Sequence, residues 1–172
     1  MENPNPEIDA HVPSESVLDR LTLADVANMT NSEYEPVTAE EVFSLLREIK
    51  DPEHPELTLA QLKVVRLDQI QVIDDPEGES YILVSYTPTI PTCSVAVLIG
   101  LTLLRKLQLS VSSRFRVFVK ISPGTHVQEK QVNRQLGDKE RVAAAMENPN
   151  LSKMVRNGVY KTDSIPEQLI IW

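Results

Sequence analysis

Between Tyr86 and Arg105 there is not one charged side chain. The uncharged segment opens on Thr87-Pro-Thr-Ile-Pro-Thr-Cys93-Ser and runs on through Val-Ala-Val-Leu-Ile-Gly-Leu101 to Leu104. A span that long suggests a membrane helix, but Pro88 and Pro91 lack amide donors and restrict the residue before each of them. Several threonines shorten the apolar run further, leaving too little to cross hydrocarbon. The segment therefore reads as a loop leading into a buried helix over 94–109, and the rest of the chain has to supply a core around that helix.

Cys93, the only cysteine in 172 residues, falls where loop gives way to helix. Two readings stand. A thiol in a first helical turn meets unpaired amides and the positive end of the dipole, which favour an exposed thiolate. A small buried residue filling a helix start fits the same position. One cysteine forms no internal disulfide, and Met1-Glu-Asn-Pro-Asn-Pro lacks the basic and apolar regions of a signal peptide, so a cytoplasmic or nuclear protein is expected.

The net charge is -8. That argues against direct nucleic-acid binding through phosphate contacts. The charge is also uneven: residues 1–100 carry -14, residues 101–160 carry +7, and the remainder carries -1. Such asymmetry suits faces that orient a protein partner, and solvated helix faces give it equally well.

The patterning predicts a polar leader over 1–36, one domain over 37–157 and a tail over 158–172 with an apolar end. Val17 to Leu23 reads as a transient helix or docking segment within the leader. Thr38 and Glu41 form a capping box ahead of Val42, Leu45, Leu46 and Ile49. A strand is expected over 64–73, a turn at Asp74 to Gly78, a second strand over 81–86 and a third over 114–121 with Phe115, Val117, Val119 and Ile121 on one face. Thr125 with Gln128 repeats the capping-box pattern before Val132 and Leu136. Asp138 starts a further helix that Asn148-Pro149 ends. The class is α+β, with helices packed on a small three-stranded sheet.

Several stretches carry a specific resemblance. Asp51-Pro-Glu-His-Pro55, Thr87 to Pro91 with Cys93-Ser94, Leu98 to Leu101, Pro123-Gly-Thr-His126, Asn133 to Leu136 and Asp138 to Leu151 resemble, in order and spacing, the cytosolic iron-sulfur assembly component 2 family. That family, which includes the Galla proteins of flies, is related to bacterial SufT-like and PaaD-like proteins. The likeness covers about residues 37–154, and Met146 to Leu151 leans toward its A-type branch. It implies a SufT/PaaD-like fold and a non-enzymatic step of cytosolic iron-sulfur protein maturation, in which clusters are delivered to apo-protein clients. Expected partners are a WD40 propeller and a HEAT-repeat adaptor, with a further association with chromosome segregation. The family's reactive cysteine maps onto Cys93. Family members commonly have histidine just before it, where this chain has Thr92, so a pre-formed metal site there is weakened.

Ordinary clusters use about four ligands, mostly thiolates. One cysteine cannot supply them, so no stably bound cofactor is expected; a transient cluster would need a homodimer, a partner or a small thiol. Zinc held by His54, His126 or acidic groups is an alternative occupant, and a lone histidine in a turn is more often structural. Two other functions compete: an interaction scaffold with an inert cysteine, and a cysteine-dependent redox enzyme with His126 as base. Asp138, Lys139, Glu140 and Arg141 form a charged cluster that is either a capped, solvated helix start or a partner surface. Gln168-Leu-Ile-Ile-Trp172 ends in an aromatic residue suited to folding back on the domain or docking on a partner.

Overall fold

The computed structural model describes residues 35–160. The leader segment Val17 to Leu23 and Trp172 lie outside them. Helix α1, Ala39–Leu46, starts as its sequence dictates: the Thr38 hydroxyl accepts from the Glu41 amide and the Glu41 carboxylate accepts from the Thr38 amide. Its apolar side puts Val42 and Leu46 in the core. The strand expected from Val64 is shorter than its β-propensity suggested. Lys63 takes φ 56°, the chain turns, Val64 and Val65 are buried as loop residues, and a 3-10 turn at Leu67–Gln69 precedes β1, Ile70–Ile73.

Strand β2, Ser80–Tyr86, pairs antiparallel with β1 (Ile70 opposite Val84, Ile73 opposite Tyr81), closing the expected hairpin. Helix α2, Ala96–Ser110, then crosses over to β3, Phe115–Ile121, which pairs parallel with β2 from Ser80 opposite Phe115 to Tyr86 opposite Ile121. A parallel pair needs such a long connection. The sheet order is β1-β2-β3, and alternation along β2 buries Ile82, Val84 and Tyr86 on one face. Helix α2 is buried almost all round, with Leu98, Ile99, Leu101, Leu103, Leu104 and Leu107 in one core with the sheet. Full burial is why this stretch carries no charge through Leu104.

Helix α3, Glu129–Leu136, begins later than a Thr125 cap would place it, because the Thr125 hydroxyl donates to the Ser122 carbonyl instead. Helix α4, Lys139–Glu147, is followed directly by α5, Pro149–Tyr160, an element the sequence reading omitted. Helix α5 packs on α2, and Gly158 permits the approach: a Cβ there would lie 2.8 Å from the Thr102 methyl. The fold is α+β, as expected. No helix among the described residues is long and apolar enough to cross a membrane.

Candidate functional site

Three loops converge at the N-terminal end of α2. The first is the Asp51 to Pro55 loop, where the buried Asp51 carboxylate accepts from the amides of Glu53 and His54, at 2.8 and 2.9 Å. This side-chain-to-backbone turn is typical of aspartate and fixes where Glu53 points. The second loop carries Cys93, whose amide donates to the Ile90 carbonyl. The third is the 122–128 loop, tied to the second by a 2.9 Å bond from the Val127 amide to the Pro91 carbonyl. The Gln69 side chain, reaching Thr87 and Ser122 at 3.0 Å each, joins the bases of the last two.

Of the two readings of Cys93, the small buried residue holds and the exposed thiolate does not. It is 4% exposed, and the helix starts only at Ala96, so the residue precedes the first turn. The thiol donates toward Glu53 Oε2 at 3.9 Å, and the Ser94 hydroxyl donates to Glu53 Oε1 at 3.4 Å. Burial pushes the thiol up to about 11; the Val95 amide works against this, and the Glu53 and Asp51 carboxylates add to it. At neutral pH only about one molecule in 10⁴ is therefore thiolate. Tyr86 lies behind, its hydroxyl donating 2.7 Å to the Ala96 carbonyl, and burial, then the nearby Cys93, drives its ionisation upward.

His126 joins this site through the backbone. Its Nδ1 accepts from the Gln128 amide, so Nε2 carries the proton and donates to the Cys93 carbonyl, each at 3.1 Å. Both ring nitrogens are thus committed to holding the two loops together, and neither is bonded to Sγ. That removes the geometric basis for His126 as base of a cysteine enzyme. A cleft of about 230 Å³ opens beside Cys93, lined by Thr92, Ser94, His126 and Val127 among others, with Val127 71% exposed. His54 lies against Glu56 (Nδ1 to Oε1, 3.7 Å), and its buried Nε2 makes no hydrogen bond. Among the described residues no three of His, Cys, Asp and Glu gather as metal ligands.

The charged cluster sits elsewhere. Asp138 caps α4, accepting from the amides of Glu140 and Arg141 and pairing with the Arg141 guanidinium at 3.2 Å. Those amide bonds hold its carboxyl below the usual range. Sequence reasoning missed Glu53 altogether. Its only signal was its place inside the Asp51-Pro-Glu-His-Pro55 motif, because nothing local says that this loop faces Cys93.

No protein-family model matches the chain. Among curated proteins, it is 53% identical over 130 residues to a MIP18 family protein of Schizosaccharomyces pombe, covering 76% of this chain and 72% of that one. It is 54% identical over 119 residues to cytosolic iron-sulfur assembly component 2B of Mus musculus, covering 69% and 71%. With the MIP18 family protein galla-2 of Drosophila melanogaster it shares 50% over 121 residues, covering 70% and 75%. The lean toward an A-type branch finds no support in these names: both the mouse protein and a Dictyostelium discoideum relative, 51% identical over 108 residues, are named component 2B.

Proposed function

The chain belongs to the MIP18 family of cytosolic iron-sulfur assembly components, and from that premise we propose that it is a non-catalytic member of this machinery which hands clusters to client proteins through Cys93. The observation that carries the reading is the pairing of the lone thiol with the Glu53 carboxylate beside an open cleft. One thiol suits a transfer step, in which the cluster is cargo and its other ligands come from the donor, the client or a partner chain. Coordination of an incoming iron by Sγ forms the Fe–S bond as the S–H bond breaks, and the Glu53 carboxylate is the group placed to accept that proton. Until then burial and two carboxylates keep the thiol protonated, which guards it against oxidation.

Partners in this reading are a WD40 propeller, a HEAT-repeat adaptor and iron-sulfur apo-proteins. A homodimer or a small thiol is a further source of ligands. The acidic balance of the first hundred residues and the basic balance of the stretch after them suit a partner that is oriented by charge. A nuclear share of the protein and a part in chromosome segregation rest on the family resemblance alone.

Two measurements test this with intact protein and Cys93→Ala side by side: affinity recovery from cytosolic extract, and cluster content of a client matured in cells depleted of the native protein. Recovery of the propeller by both proteins, with client cluster content lost only in the mutant, is the expected result. A second reading, an interaction scaffold with an inert thiol, is favoured by the burial of Cys93; full client maturation with Cys93→Ala would establish it and end the hand-over proposal.

A further inference from the structure

The Cys93 thiol is buried, while both of its neighbours in the chain, Thr92 and Ser94, are exposed. Turning Sγ outward therefore takes the rotation of one residue rather than the removal of a loop. Such a rotation carries with it the two planar peptide units that flank the Cys93 Cα, so whatever holds those units decides whether the thiol leaves. Two bonds hold them. The Cys93 amide donates to the Ile90 carbonyl at 3.2 Å, a contact within the same loop. The Cys93 carbonyl accepts from His126 Nε2 at 3.1 Å, and this bond alone of the two reaches outside the loop.

Resting on the hand-over reading, we propose that His126 is a positioning residue for Cys93: its Nε2–H bond to the Cys93 carbonyl keeps the thiol turned in toward Glu53, and release of that bond presents Sγ to the cleft between the two loops. The cleft supplies the room. Thr92, Cys93 and Ser94 line its volume of about 230 Å³ from one loop, and His126, Val127 and Gln128 from the other, so the displaced thiol enters space that is already open. With Nδ1 accepting from the Gln128 amide at 3.1 Å, the imidazole is fixed in the one neutral tautomer that can donate to Cys93. The loops stay joined without that bond. The Val127 amide donates 2.9 Å to the Pro91 carbonyl, and the Asn133 side chain and the Tyr86 carbonyl accept from the Ile121 and Ser122 amides at 2.8 Å each. Losing the His126 bond thus frees one residue and leaves the fold in place.

Two substitutions separate the two ring nitrogens. His126→Asn places an acceptor where Nδ1 sits but has no donor that reaches the Cys93 carbonyl, whereas His126→Gln reaches the Nε2 position and keeps that donor. The readout is the rate at which iodoacetamide labels Cys93 in the native protein at pH 8, with the thermal melt followed by circular dichroism. One net hydrogen bond shifts a local equilibrium by about fivefold, so His126→Asn should label about fivefold faster than the intact protein and His126→Gln within about twofold of it. A packing role alone would move both variants together, because each replaces the ring by a smaller amide. Equal rates in the two variants, or the intact rate in His126→Asn, overturn the proposal. Should either variant melt far below the intact protein, the ring nitrogen shifts of intact protein at neutral pH still decide: the tautomer protonated on Nε2 is expected, and the one protonated on Nδ1 overturns the proposal. Labelling involves no client, so the split between the variants stands even where Cys93→Ala matures clients fully; in that case only the hand-over reading fails.

Discussion

The two ends of helix α2 are built on opposite principles. At its N-terminal end, three loops are locked by backbone and side-chain hydrogen bonds around one buried thiol, and the added charge is negative. Along its second half, the helix forms one wall of an apolar groove that Arg105, Lys139 and Arg156 also line. The first end has little spare surface and a chemically tuned atom; the second has much surface and no reactive group. Reactivity needs fixed neighbours, whereas docking needs exposed area, and the two ends of one buried helix differ in which of these they supply.

The largest effect expected from this contrast is a pH dependence belonging to the N-terminal end alone. Cys93 titrates near 9.0 when unfolded and about 11 when folded, so between those values the folded state holds the extra proton. Its contribution to stability is complete below pH 9 and is lost as pH rises through 11, on the order of 2–3 kcal/mol. Urea melts from pH 8 to 11 should therefore fall more steeply for the intact protein than for Cys93→Ser. Identical slopes would show that the thiol is not held in its neutral form, and the contrast between the two ends would lose its chemical half.

Gly100 joins the ends. A Cβ there would sit 2.5 Å from a Leu136 methyl, in the groove wall, and 2.9 Å from the Tyr86 hydroxyl, behind Cys93. Gly100→Ala gains up to about 1 kcal/mol of helix propensity but overpacks the core by about 1–3 kcal/mol, so a net loss of about 1–2 kcal/mol is expected. The same variant should change the rate of Cys93 alkylation through Tyr86, which lies behind the thiol. A stabilised protein with alkylation unchanged would mean that the two ends are not mechanically linked.

Much of this frame was legible in the sequence because it rests on local rules: the Thr38 capping box, the hairpin turn at Asp74 to Gly78, the period of two in β3, and the uncharged run that became α2. The gaps were of two kinds. Asn148-Pro149 does stop α4, as read, but the helix that follows was missed: Asn148 Oδ1 accepts from the amides of Asn150 and Leu151 and Pro149 opens α5, where a missing amide costs nothing. The same dipeptide ends one helix and starts the next, and local rules do not say which use prevails. The state of Cys93 was open between an exposed thiolate and a small buried residue, and the structure selects the second. Its protonation is set first by burial beneath two other loops and then by carboxylates such as Glu53, forty residues away, so nothing near the cysteine could decide between the two.

Glu53→Gln should have the smallest effect on stability and the sharpest on chemistry. The substitution keeps the side chain's shape and removes one of the carboxylates that raise the Cys93 thiol. Losing a like charge at this distance should lower that value by about half to one unit, and so speed iodoacetamide labelling at pH 8 by about three- to tenfold. Labelling draws on whatever thiolate exists in equilibrium with solvent, so it gains. In the hand-over proposed above the carboxylate is the proton acceptor, so on that reading client maturation should fall while labelling rises. Such a split separates a base from a mere electrostatic neighbour. If labelling and maturation rise together, Glu53 only suppresses the thiol; if neither moves, the 3.9 Å contact has no chemical role, and the N-terminal end of α2 is a packing solution like the rest of the core.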